Sequence, residues 1–434
     1  MNFPLPAPWA GRLSLSLCVF LPFSLGQFMH ALLRNANAVL VPNLVTTFSL
    51  NPGQLGLLTS TFFFSVVLAQ LPTSAALERY GPYKVQLGLL MLAASGTLMF
   101  AGSHDFAQLV IARAIMGFGV GGTLMTAVKA VTARVAPERL PSAVAIVIAA
   151  GGIGSAAATM PMRQLLEYTD WRGLFVWLAA ATATVAVLSW IVKPRVVKLP
   201  AVTPRSLDAL RQVLRTPAFR RTISLVLVSH WTYWGVQGLW IGRWLSDVGY
   251  LPEGVVAYLL YLGMAAVVFG AIAVGMITEW AGRRGIGALD VAAIGVALYV
   301  LIQIGIIVSY RPSLPMLAVL FTLVGTITGI EYTIVQQSMP KELGSPASSC
   351  LNMLIFLGAF LMQACFGQII ALWSPDASGH YPAVAYRVAF GVAVLLQLPG
   401  LLRYAWQRRP VKCAVPKLIL KEQEYEVSAL RSPR

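Results

Sequence analysis

Apolar stretches of about twenty residues recur along this chain, separated by short polar breaks. That pattern leaves few folds open. A helix needs roughly 20 residues to cross a bilayer, and in lipid only helices and closed barrels satisfy their own backbone polar groups. Such windows fall at 13–41, 54–76, 85–103, 106–131, 140–162, 172–192, 221–243, 254–278, 286–309, 313–337, 346–373 and 383–404. Composition agrees: 57% of the 434 residues are hydrophobic and 11% charged, against about 25% charged in a soluble domain. The expected fold is an all-α membrane protein of twelve transmembrane helices. The first window runs too long for a signal-peptide core of roughly 7–15 residues and is expected to be the first span.

The net charge is +16, but its distribution argues against nucleic acid. With the N-terminus placed in the cytoplasm, 24 of the 32 Lys and Arg fall in cytoplasmic segments and 5 in outer loops. This positive-inside bias predicts cytoplasmic termini at both ends and a plasma-membrane protein, in a bacterium the inner membrane. The basic loop 193–220 divides the spans six and six, giving 12–192 and 221–405 as two six-helix bundles. The polar tail 406–434 is expected to be disordered. A shift of 200 residues carries Pro52 onto Pro252, His30 onto His230 and Asn37 onto Gln237. Pro137-Glu138-Arg139-Leu140 likewise parallels Pro340-Lys341-Glu342-Leu343. These coincidences at nearly constant offset predict two pseudo-symmetric halves.

Within the first span Gln27, His30, Arg34 and Asn37 are spaced three, four and three, which puts them on one helix face. A guanidinium facing lipid is costly, so that face is expected to look into protein or water. Arg34 lies eight residues inside Pro42 and Arg113 eight inside Asp105, so both sit roughly 12 Å below the outer surface at about 1.5 Å per residue. Two arginines at one depth suit an anion between them, and the expectation is a small anionic substrate, a carboxylate, clamped by Arg34 and Arg113. The plainer alternative is that one arginine only holds backbone carbonyls. His30 and His230 are pseudo-equivalent, and a neutral histidine is a good donor to a carboxylate; each is equally at home as a packing residue. Asn37 and Gln237 add neutral hydrogen bonds. Trp231, Tyr233, Trp234, Trp240 and Trp244 crowd the seventh span, where the inner ones suit a substrate's apolar part and the outermost a membrane-interface belt.

Two similar bundles joined by a basic loop resemble the major facilitator superfamily. Ser74 to Lys84, with Glu78, Arg79 and Gly81, is similar to that family's G-x-L-x-D-R-x-G-R-R signature, although Ser74 replaces its first Gly and Glu78 its Asp. Asp170-Trp171-Arg172 also resembles a family pattern. The resemblance implies alternating access around a cavity lined by spans 1, 4, 7 and 10, with Glu78, Arg79 and Gly81 in a conformational, gating motif. Arg34 with Pro42, and Arg113 with Gly117, further resemble the organic-anion (anion:cation symporter) branch, but Val120 stands where that branch has a Glu. Glu331, in span ten, lies ten residues before Lys341, roughly 15 Å from the inner surface. It is expected to carry the coupling proton, or to form a structural salt bridge.

The predicted function is a proton-coupled symporter of a small organic anion, acting as a monomer in the lipid bilayer; the alternative is a drug or metabolite exporter working as a proton antiporter. An enzyme is not expected: there is no His-metal motif, nucleophile elbow or P-loop, and no cofactor is implied. Gly117-Phe118-Gly119-Val120-Gly121-Gly122 satisfies G-x-G-x-x-G but lies inside a span, so it is read as a helix-packing surface. Cys18, Cys350, Cys365 and Cys413 have no metal-ligand spacing, and those in apolar windows are expected to be small core residues.

Overall fold

The computed structural model describes residues 20–135, 140–192, 207–308 and 310–407. Arg12, Cys18, Cys413, Pro137-Glu138-Arg139, residues 193–206 of the expected linker and the tail from 408 lie outside the described residues.

Among the described residues the regular structure is helical. In chain order the helices are α1 (Leu21–Asn35), α2 (Asn37–Phe48), α3 (Pro52–Ala101), α4 (Phe106–Val120), α5 (Thr123–Thr132) and α6 (Leu140–Ala157). There follow α7 (Met160–Leu165), α8 (Trp171–Ile191), α9 (Leu207–Arg215), α10 (Pro217–Gln237), α11 (Trp240–Asp247) and α12 (Glu253–Arg283). The last are α13 (Ala288–Val308), α14 (Leu314–Gly325), α15 (Ile330–Ser338), α16 (Lys341–Ile370) and α17 (Ala383–Gln407). Eight helical stretches among the described residues are long and apolar enough to cross a membrane. One of them, α3, covers two of the windows read from sequence. The windows at 13–41, 140–162 and 221–243 are not among the eight; residues 13–19 lie outside the described ones, and 140–162 is divided between α6 and α7. Residues 207–215, expected in the basic loop, form helix α9.

Local chemistry explains most ends. Asn51 caps α3 through a reciprocal pair with Gln54, at 2.8 and 3.1 Å, with Pro52 in the first turn, where its missing N–H costs nothing. Asp105 and Asp170 accept the backbone N–H of Gln108 and Gly173, each at 2.8 Å, and so start α4 and α8. Within α3 helical geometry fails at Gly81, whose φ of 77° and ψ of 167° belong to a region that essentially only glycine enters.

The G-x-G-x-x-G stretch is a packing surface. A Cβ on Gly117 would stand 2.6 Å from the Phe62 carbonyl oxygen, and one on Gly119 2.4 Å from the Ala93 nitrogen. The backbone of α4 therefore rests directly on α3. At Gly56 and Gly367, α3 meets α16 as closely, since a Cβ on Gly367 would lie 2.5 Å from the Pro52 carbonyl oxygen. One buried apolar core gathers residues between Met29 and Ala186 and takes in Phe356 and Ala359. Another gathers residues between Val236 and Ala393 and takes in Val41 and Leu55. Cys350 is buried as expected, but Cys365 is exposed on the helix surface.

Gly81→Ala should lower the thermal denaturation midpoint of the purified protein, with a cost of about 1–3 kcal/mol for a side chain forced into that backbone region. An unchanged midpoint would mean that the turn relaxes freely.

Candidate functional site

The hydrogen-bond ladder of the first helix is interrupted within its window, although Ala36 keeps helical dihedrals. It stops at Asn35 and restarts at Asn37, with Ala36 between. Pro42, inside α2, contributes no N–H to the ladder. The last carbonyls of a helix have no intrahelical donor, and in lipid no water replaces one. Arg113 supplies the donors: its Nη1 donates to the Leu33 carbonyl at 2.8 Å and its Nη2 to the Arg34 carbonyl at 2.9 Å. The guanidinium is 1% exposed and lies 4.6 Å from the centre of the Phe62 ring. Arg113 therefore does not join Arg34 as the second jaw of a clamp. It takes the alternative role, holding backbone carbonyls, because the break in the first helix strands them within its reach.

Arg34 itself projects into a cavity of about 320 Å³. Its guanidinium carbon stands 4.3 Å from the centre of the Trp234 ring, a cation–π contact. Its Nη2 is 3.5 Å from the Ser155 hydroxyl, which Asn35 Nδ2 approaches more closely at 3.0 Å. Among the described residues Arg34 has no carboxylate within ion-pair distance. The cavity is also bounded by His230, Trp234, Gln237 and Tyr332.

His230 lines the same cavity and is hydrogen-bonded through Nδ1 to Glu331 Oε1 at 2.5 Å. Glu331 is fully buried, and its Oε2 has no hydrogen-bond partner. The Trp234 ring lies 5.9 Å from His230 and is held edge-on by Phe356 at 5.2 Å. One indole thus adjoins both the lone cation and the histidine–carboxylate pair. Gln237 makes only a 3.5 Å contact to the Met264 sulfur and keeps most of its hydrogen-bonding capacity.

Other expected residues lie elsewhere. His30 is buried beside the cavity rather than in its wall, with Nδ1 3.0 Å from the Thr123 hydroxyl. Asn37 is fully buried and neither amide atom has a partner. The pseudo-equivalence of His30 and His230 therefore does not extend to their partners. Trp240 and Trp244 are buried in the core rather than exposed at an interface, because the chain restarts a helix at Trp240 and turns both rings inward. Glu78 and Arg79 are exposed at the Gly81 break, Arg79 lying 5.2 Å from the Tyr80 ring.

Several polar groups escaped the sequence reading. Asn35, Ser155 and Gln363 line the cavity, but Ser155 sits in a glycine-rich stretch that reads as packing. Asp247, 2% exposed, is a second buried carboxylate besides Glu331. It binds Arg243 at 3.1 Å, the Tyr386 hydroxyl at 2.5 Å and His380 at 3.3 Å. Its four-residue spacing from Arg243 was the available signal. Arg163 and Glu253 form a 2.5 Å ion pair joining α7 to α12. In the loop before α17, Asp376 accepts the backbone N–H of His380 and of Ser378, each at 2.9 Å, which holds its carboxyl below the usual range.

The model of the Major Facilitator Superfamily matches residues 23–363. The chain is 27% identical over 180 residues to the efflux pump ustT of Ustilaginoidea virens, an alignment covering 40% of this chain and 33% of that protein. It thus spans only a third of that relative's length. It is 25% identical over 379 residues to the gentisate transporter of Corynebacterium glutamicum, covering 81% of this chain and 79% of the other. Its fold is similar to that of a bacterial homologue of the human lysosomal transporter Spinster, in an inward-facing and occupied conformation, with a TM-score of 0.75 at 16% identity over 93% of this chain and 98% of that one.

Arg113→Ala should cost about 1–3 kcal/mol for each carbonyl left unpaired in the interior, read as a lowered denaturation midpoint. Arg113→Lys should recover only part of it, because an ammonium is not a planar fork. Wild-type stability in Arg113→Ala would remove the capping role.

Proposed function

The chain belongs to the Major Facilitator Superfamily, and we propose that it is a secondary active transporter of a small organic anion, a carboxylate, driven by protons through alternating access. The observation that carries this reading is Arg34, a guanidinium on the cavity wall with no carboxylate partner among the described residues. A cation held in a low-dielectric cavity favours an anion there and can grip a carboxylate through two parallel hydrogen bonds. The likeness to a gentisate transporter supports an organic-anion substrate.

In the proposed architecture twelve spans form two six-helix bundles, 12–192 and 221–405, joined by the basic loop, with both termini cytoplasmic. The substrate carboxylate binds Arg34, and Arg113 positions Arg34 by fixing the helix break beneath it. The coupling proton resides on the His230–Glu331 pair, which is buried and reaches the same cavity through His230. Trp234 joins the two, so substrate binding and protonation act on one aromatic ring. Substrate and proton together favour one orientation of the bundles, and their differential affinity for the two orientations drives transport. Glu78, Arg79 and Gly81 form the turn that shifts as the bundles rock. The likeness to the efflux pump ustT, with the aromatic cavity wall, favours a second reading, a proton-coupled exporter of larger amphipathic molecules.

Uptake of radiolabelled carboxylates into proteoliposomes under an imposed pH gradient tests the reading. Arg34→Ala is expected to lose about 2–5 kcal/mol of substrate binding, the cost of truncating one partner of a buried charge pair, and with it measurable uptake. Wild-type uptake by Arg34→Ala would end the proposed role of that residue. Glu331→Gln is expected to keep substrate binding but to lose accumulation driven by the pH gradient. Gradient-driven accumulation by that variant would place the proton elsewhere.

A further inference from the structure

We infer that the site selects monocarboxylates borne on an aromatic ring, with Trp234 as the residue that determines this specificity. The inference rests on the reading of Arg34 as the anion-binding group. It follows first from counting charge. Among the described residues, Arg34 is the only Lys or Arg lining the cavity. The fork of Arg113 is occupied by the Leu33 and Arg34 carbonyls, and His230 is already bound to Glu331. Among the described residues, then, one cation has donors free to grip one carboxylate. A second carboxylate on the same substrate would enter the cavity with no free cationic donor to receive it, and its desolvation would oppose binding.

The walls supply the second argument. Phe62, Phe63, Tyr233, Trp234 and Tyr332 all line the cavity. The Trp234 ring is held by Phe63 at 6.3 Å and Phe356 at 5.2 Å, so it presents a fixed surface rather than a mobile one. A fixed indole beside Arg34 sets a short distance between carboxylate and apolar body. A flat ring bonded directly to the carboxylate matches that distance and packs on aromatic neighbours edge-to-face or offset. A short alkyl chain leaves those walls uncovered. Size agrees: the cavity of about 320 Å³ is roughly twice the ~150 Å³ apolar cavity that takes up benzene, enough for a ring, its carboxylate and small substituents.

Binding of four probes to the purified full-length protein, measured by calorimetry and by thermal stabilisation, tests this. The probes are benzoate, butyrate, phthalate and benzamide. Benzoate is expected to bind at least tenfold more tightly than each of the others. In Trp234→Leu the advantage of benzoate over butyrate is expected to vanish, and in Trp234→Phe to return in part. Should Trp234→Leu fail to fold, the ranking of the four probes on the wild-type protein still decides. Butyrate or phthalate binding as tightly as benzoate would overturn the ring or single-charge selectivity while leaving the anion reading intact. Benzamide matching benzoate would overturn both, since the carboxylate would then contribute nothing. Absence of benzoate binding would overturn the inference outright.

Discussion

A broken helix inside a membrane leaves carbonyl oxygens facing a medium that offers no donor, and the fork of Arg113 is what makes the break after Arg34 sustainable. Its two nitrogens meet the two carbonyls at 2.8 and 2.9 Å, and the positive charge is spread over a planar group stacked near the Phe62 ring. Both sides of the contact need it. The carbonyls gain donors, and the guanidinium, 1% exposed, gains acceptors without which its burial is prohibitive. A lysine would bring a compact ammonium rather than a planar fork to the same two oxygens. The direction of Arg34, and so the position of the one Lys or Arg among the described residues that line the cavity, depends on this join.

The charge pattern of the cavity is lopsided. The cation comes from the first 200 residues, and the histidine–carboxylate pair, the indole and Gln237 from the rest. Trp234 occupies the position equivalent to Arg34 under the shift of 200 residues and lies against it. Under that shift, a positive group from the first half of the sequence faces an aromatic one from the second.

Apolar windows were legible in the sequence because span length and hydropathy are properties of a segment alone. Arg34 was legible for a related reason: helical spacing assigns a face, and a charge in a span needs a polar side. What Arg113 touches was not legible, because it depends on where α4 passes α1, which spacing within either segment does not fix. His230 and Glu331 could be nominated separately, but their contact is a tertiary fact. Hydropathy placed Trp240 and Trp244 at a membrane interface since they fall late in the window; a restart of the helix after Gln237 turns them into the core. Asp247 went unnoticed because it lies just past an apolar window, where a carboxylate ordinarily meets water.

Just before Glu331 the chain winds as a 3₁₀ helix over Thr326–Gly329, between α14 and α15. A 3₁₀ turn advances 120° per residue and an α turn about 100°. Rewinding those four residues as α-helix would rotate everything after them by about 80° and shorten the segment by about 2 Å. Glu331 follows that stretch by two residues, so the same rewinding would carry its side chain around the helix axis and away from its present contact with His230.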